Sequence, residues 1–174
     1  MKVLGFTGPS GSGKTTLLVK LLPLFRAAGL TVSTVKHTHH TVDLDQPGKD
    51  TYEHRIAGAE EVVLASTARF VIQHEYRDAD ELPLDALLAR MAPVDLVLVE
   101  GFRPYPQPKI LIHRAASGKP MPDPATLAGL IAIASDTALP DAPVPVLPLN
   151  DPQTVCAFAL RALSLPALPC DQGA

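Results

Sequence analysis

The sequence predicts an α/β fold: a mainly parallel sheet with helices on both faces and an antiparallel hairpin inserted into it. Three observations predict this. Short aliphatic runs alternate with stretches that are apolar at helical spacing, the pattern of strands joined by crossover helices. Hydrophobic residues make up 47% of the chain but aromatic residues only 5%, so the core is aliphatic, as suits strands covered on both sides. One run, Asp95-Leu96-Val97-Leu98-Val99, is continuously apolar after its first residue, which excludes a half-solvated strand.

The elements follow in order. Val3 to Thr7 reads as a short buried strand and Gly8 to Gly13 as a loop. Thr15 to Ala28 is helical, with Leu17, Leu18, Leu21, Leu22 and Phe25 on one side. Pro23 lies inside that helix and is expected to kink or shorten it; Gly29 fits its stop. Thr31 to Lys36 is a second strand, His37 to Asp50 a loop, and Thr51 to Ala59 a short helix. Val62 to Ser66 and Phe70 to Tyr76 lie close enough to pair as an antiparallel hairpin. Leu84 to Met91 is helical, and Asp95 to Val99 is the buried strand that ends in Glu100. Lys109 to His113 and Leu130 to Ala134 are further strands. The proline-rich stretch from Pro140 to Pro148 carries a short strand at most, and Pro152 to Leu163 is the closing helix.

A chain of 174 residues reads as one domain. Residues 1–164 form it, and 165–174, with two prolines and a glycine, are expected to be a flexible tail. Formal net charge is -3, so no global basic field favours nucleic acid. The two cysteines, Cys156 and Cys170, make neither a disulfide framework nor a zinc ribbon. No apolar run reaches transmembrane length and the N-terminal one is too short for a signal peptide. A cytoplasmic location is the simplest expectation.

Gly8-Pro9-Ser10-Gly11-Ser12-Gly13-Lys14-Thr15 matches the phosphate-binding pattern GxxxxGK[ST] in full. It follows a strand and opens a helix, the context that pattern requires, and makes the sheet one of P-loop NTPase type. Gly11 and Gly13 let the backbone curl until its N–H groups converge on an anion. The helix N-terminus adds positive potential. Gly8, Ser10, Ser12 and Thr16 complete the cradle. Lys14 is placed to reach the outer phosphates and Thr15 to offer a hydroxyl to Mg²⁺. Such a site also needs a carboxylate on a neighbouring strand. The strand ending in Glu100 supplies one at the carboxyl edge, where ligands bind in open α/β sheets. Glu100 is read as a magnesium ligand or as the group that polarises an attacking water.

Lys36 ends the second strand at the same edge, within reach of phosphate. The next residues, His37-Thr38-His39-His40, admit three readings: a zinc site, a polar loop with incidental histidines, or a nucleotide-sensing loop. Zinc sites prefer wider ligand spacing and a second ligand pair. The third reading is favoured, with Asp43 or Asp45 joining Thr15 and Glu100 around Mg²⁺, a cation that prefers oxygen. Lys14, Lys36 and Glu100 are then the catalytic candidates.

The blocks KHTHHTVDLDQPGKDTYEHRIAGAEEV, GPSGSGKTTLL, LVLVEGFR and IAIASD together resemble the MobB family of molybdopterin-guanine dinucleotide biosynthesis adapters, from the first strand to about residue 163. The resemblance implies a cytoplasmic, homodimeric P-loop protein that binds GTP and hydrolyses it weakly. It also implies a partner, the guanylyltransferase that joins GMP to molybdopterin. Similarity to the related dethiobiotin synthetase implies that Thr15, one of Asp43 and Asp45, and Glu100 surround Mg²⁺ while Lys36 touches phosphate. Some relatives carry an extra lysine after the first loop glycine, where this chain has Pro9. The Asn-Lys-x-Asp run with which ordinary GTPases read guanine is reduced here to Asp136, at the end of Ile133-Ala134-Ser135. Asp136 can accept from both the N1–H and the exocyclic amine of guanine, with Asn150 as a second base contact or a helix cap.

Two other functions share these features. A small-molecule P-loop kinase or ligase would use Lys36 and Glu100, but would carry an arginine-rich lid, for which only Arg103 and Arg114 are at hand. A metallochaperone GTPase would use the histidines. Arg103, Lys109 and Arg114 also form a basic cluster, read chiefly as solvated surface charge with an anionic pterin phosphate as its alternative partner.

Overall fold

The structure, a computed structural model, describes residues 1–38 and 42–168. In chain order the elements are β1 (Lys2–Thr7), α1 (Lys14–Ala27), β2 (Val32–Lys36), α2 (Asp50–Ile56), β3 (Glu61–Ala65) and β4 (Phe70–His74). There follow α3 (Leu84–Ala89), β5 (Leu96–Glu100), β6 (Lys109–His113), β7 (Leu130–Ser135), β8 (Val146–Pro148) and α4 (Pro152–Ala162). The chain divides into two compact units, Met1–Thr38 with Met91–Ala174, and His39–Arg90. Among the described residues no helix is long and apolar enough to cross a membrane.

The first unit is a six-stranded sheet in the order β2-β5-β1-β6-β7-β8, with every ladder parallel. Leu96, Val97, Leu98 and Val99 are all fully buried, as their unbroken apolar run requires. Side chains then sort by alternation. Ile110, Ile112, Ala132 and Ala134 join the main core with α1 and α4, whereas Leu111 and Ile133 meet Leu127 on the opposite side. The edge strand β8 tolerates Pro148 because alternation turns its nitrogen away from β7, while the next residue, Leu149, donates its N–H to Ser135. After α4 the chain still packs, with Leu165 and Leu168 against the core.

Pro23 does not shorten α1: the helix runs on to Ala27. The missing N–H would have bonded the carbonyl of Val19, and both residues are exposed, so that carbonyl lies on the solvent side. On the other side Leu17, Leu18, Leu21 and Phe25 are buried and hold the helix to the sheet. The stop behaves as expected, with Gly29 donating to Arg26 and Leu30 to Phe25, the paired bonds of a Schellman ending.

The second unit holds α2, the β3–β4 hairpin and α3. Glu61 pairs with His74 and Ala65 with Phe70 in an antiparallel ladder. Ser66 closes the turn, its N–H and hydroxyl each donating to the carbonyl of Arg69 at 2.9 Å.

Candidate functional site

Strand register gathers the site. β5 lies between β1 and β2, so Glu100 is opposite Phe6 on one side and Lys36 on the other. A clip at the far end fixes this register. The N–H and hydroxyl of Thr31 donate to Asp95 at 2.8 and 2.6 Å, and the Asp95 N–H returns a bond to Thr31. One residue beyond Phe6 the chain enters the phosphate loop. Gly8 is required there: a Cβ would stand 2.4 Å from the Ile112 carbonyl oxygen, at a φ of 144°.

The loop has the form of an anion cradle. Lys14 folds back over it, its Nζ donating to the carbonyls of Gly8 at 2.9 Å and Pro9 at 2.8 Å. Burial pulls the Lys14 pKa below the usual lysine value, with Glu100 opposing and Lys36 and Lys119 adding to the shift. Ser12 is wholly buried, and its hydroxyl has no hydrogen-bond partner among the described residues. An orphaned donor inside a ring of backbone N–H groups fits a phosphate oxygen. The Thr15 hydroxyl stands 3.2 and 3.1 Å from the two carboxylate oxygens of Glu100, and Lys36 Nζ lies 3.8 Å from that carboxylate. Lys14, Lys36, Thr15 and Glu100 therefore belong to one constellation. Its oxygen donors suit Mg²⁺. Ser10 lies exposed on the loop and Thr16 in the first turn of α1.

His37 follows Lys36 directly at the end of β2. Its ring lies tilted against Phe102 at 4.4 Å between centroids, and its backbone N–H donates to the Glu100 carbonyl at 2.8 Å. Gly101 makes room: a Cβ there would be 2.9 Å from the His37 Cβ. His39 and His40 lie outside the described residues.

Asp43 and Asp45, expected at the metal, are engaged within the second unit. Arg55 donates to Asp43 at 2.6 Å and lies 3.9 Å from Asp45, while the Thr51 hydroxyl donates to Asp45 at 2.9 Å. The Asp45 N–H, and then Arg55, hold the Asp43 carboxyl below the usual range. Arg55 also reaches Glu75 at 3.3 Å. The sequence reading had no means of seeing Arg55, because its partners stand 12 and 20 residues away.

The basic cluster separates into three different roles: Arg103 is exposed, as solvated charge would be, whereas Lys109 is buried, which corrects that reading for Lys109. Lys109 is 1% exposed, and its Nζ donates to the carbonyls of Arg103 and Tyr105, tying down the segment after Glu100. Desolvation lowers its pKa, and Arg103 adds to that. Arg103 donates to the Thr126 hydroxyl at 3.1 Å. Arg114 belongs to the site. Its guanidinium donates to the Asn150 side-chain oxygen at 3.4 Å and lies 3.9 Å from the Asp136 carboxylate. It lies close against the loop: a Cβ on Gly13 would be 3.2 Å from an Arg114 nitrogen, tighter than an ordinary contact. Asp136 also accepts the Ala115 N–H at 2.7 Å, the main cause of its lowered pKa. Asp151, not Asn150, caps α4.

Comparison with known proteins places this geometry. The family model described as Molybdopterin guanine dinucleotide synthesis protein B matches residues 3–136. The chain is 41% identical, over 161 residues and 91% of both chains, to the molybdopterin-guanine dinucleotide biosynthesis adapter protein of Escherichia coli (strain K12). It is 46% identical over 121 residues to the adapter of Haemophilus influenzae, covering 70% of this chain and 68% of that one. Among solved structures, Bacillus subtilis MobB superposes with a TM-score of 0.72 at 23% identity, covering 94% of this chain and 98% of that one. A MobB homologue from Bacillus stearothermophilus gives 0.69 at 24% identity, covering 94% and 99%. At these identities the two structures support the fold alone.

Proposed function

Since the chain belongs to the molybdopterin guanine dinucleotide synthesis protein B family, we propose that it serves molybdopterin-guanine dinucleotide biosynthesis as a GTP- and Mg²⁺-binding adapter. The observation that carries the nucleotide part is the Thr15 hydroxyl held at 3.2 and 3.1 Å from both oxygens of Glu100, beside Lys14. Bound there, Mg²⁺ would neutralise charge on the outer phosphates. The rest falls to the chain's own groups. Lys14 exchanges the carbonyls of Gly8 and Pro9 for phosphate oxygens, and the Ser12 hydroxyl gains the partner it lacks. Lys36, at the same strand edge, adds a second cation. Asp136, held ionised by the Ala115 N–H, accepts N–H donors from guanine, with Asn150 beside it.

Hydrolysis on this site is slow, well under the ~1–10³ s⁻¹ of ordinary enzymes, because Glu100, the carboxylate held beside Thr15 among the described residues, is engaged by the Thr15 hydroxyl and the metal rather than by an attacking water. The proposed partner is the guanylyltransferase that attaches GMP to molybdopterin, in the cytoplasm, with the adapter as a homodimer. The test is a calorimetric titration with GTP and with ATP, each with and without Mg²⁺. GTP is expected to bind more tightly, and more so with the metal. Equal affinities would remove the role given to Asp136.

A further inference from the structure

Arg114 stands where the phosphate loop and the base-reading groups meet. Its guanidinium borders Gly13, with only 3.2 Å between its Nη2 and the place of a Cβ there. The same nitrogen donates to Asn150 at 3.4 Å, and the other terminal nitrogen faces Asp136 at 3.9 Å. Both contacts are long for charged partners, so neither holds the arginine firmly. A guanidinium cannot lose its charge. It therefore stays a cation whose donors can turn between these two acceptors, water and an anion above Gly13. The side chain keeps 31% of its exposure, against 12% for Asp136, so the cation is free to turn while the carboxylate is fixed by the Ala115 N–H.

We propose that Arg114 makes guanine reading conditional on phosphate. Without nucleotide it occupies Asp136 and Asn150. A polyphosphate in the Gly8–Thr15 loop draws the guanidinium off them, and the two acceptors pass to the base. A nucleoside or monophosphate lacks the outer charge that pulls Arg114 away, so its base competes with the arginine. The inference rests on the proposed GTP reading and adds to it the residue that couples the two halves of the site.

The test measures preference for guanine over adenine at two phosphate lengths. Non-hydrolysable GTP and ATP analogues, then GMP and AMP, compete with a fluorescent guanosine triphosphate analogue for the full chain with Mg²⁺. In the wild type the guanine preference is expected to be about tenfold greater for triphosphates than for monophosphates, the worth of ~1.4 kcal/mol. Arg114→Gln is expected to make the two preferences equal. Arg114→Lys, which keeps the charge and loses the fork, is expected to fall between them and carries the measurement should Arg114→Gln fail to fold. Equal preferences in the wild type, or a difference that survives both substitutions, would overturn the coupling while leaving GTP selectivity intact. No guanine preference at either length would overturn the GTP reading itself.

Discussion

At the scale of single residues, the site works through shared partners. The Thr15 hydroxyl has one hydrogen, and the two Glu100 oxygens compete for it at nearly equal distances. That carboxylate has spare acceptor capacity pointing at the phosphate loop, which is what a magnesium ion uses. Glu100→Gln keeps the shape and removes the charge. It is expected to reduce the gain in GTP affinity that Mg²⁺ provides by about tenfold or more, as losing a charge-assisted contact would. Affinity in the presence of a chelator should stay nearly the same. Unchanged magnesium dependence in Glu100→Gln would remove Glu100 from the metal site. Lys14, Thr15 and Glu100 were legible in the sequence because a loop and a strand end each announce themselves in consecutive residues. Arg114 was visible only as a basic residue. Its value comes from facing Asp136 and Asn150, 22 and 36 positions away, at a strand crossover that no local pattern encodes. Lys109 shows the opposite failure: it reads as surface charge, yet it is buried beside Gly5, where a Cβ would stand 3.0 Å from its own Cβ, and its ammonium donates to the carbonyls of Arg103 and Tyr105.

At the scale of elements, capping and packing decide what propensity leaves open. The α4 helix starts at Pro152 because Asp151 accepts from the Thr154 hydroxyl at 2.7 Å and the Thr154 N–H at 3.1 Å. Those two bonds, the hydroxyl's first, hold the Asp151 carboxyl below 3.8, where an ordinary aspartate titrates. The folded state therefore binds fewer protons than the unfolded one between the lowered value and 3.8. The stabilisation is complete above that range and is lost as pH falls through it. Asp151→Ala should lower the melting temperature at neutral pH, and the difference from wild type should shrink below pH 3.8. A difference that stays constant down to the acid limb would mean that the cap bonds do not depend on the ionised carboxylate. Helix and strand order were legible because each buried face repeats with its own period. Pro23 does not shorten its helix, because the rule against an interior proline weighs one lost bond, and four buried side chains on the opposite face outweigh it.

At the scale of the whole molecule, the division into two compact units was not legible, since no change of composition marks residues 39–90. The hairpin itself was, and its sequence carries a further instruction. Val63 stands opposite Ile72, and Ala65 opposite Phe70, so these four side chains share one face. Exposure there is 56% for Val63, 53% for Ile72 and 67% for Phe70. A two-stranded sheet is marginal on its own, and a contiguous apolar face on it favours a covering surface. The proposed homodimer supplies one: a second copy of the same face, related by a two-fold axis, is complementary to it by symmetry. Replacing Phe70 and Ile72 together by glutamate puts two charges into that contact and removes two side chains worth ~1.5–3 kcal/mol each when buried. The dimer dissociation constant is expected to rise by at least about a hundredfold, turning a dimer into a monomer in sedimentation velocity. Magnesium-dependent GTP binding, which uses residues of the other unit, should persist in that monomer. A double variant that still sediments as a dimer would place the two-fold contact on another surface.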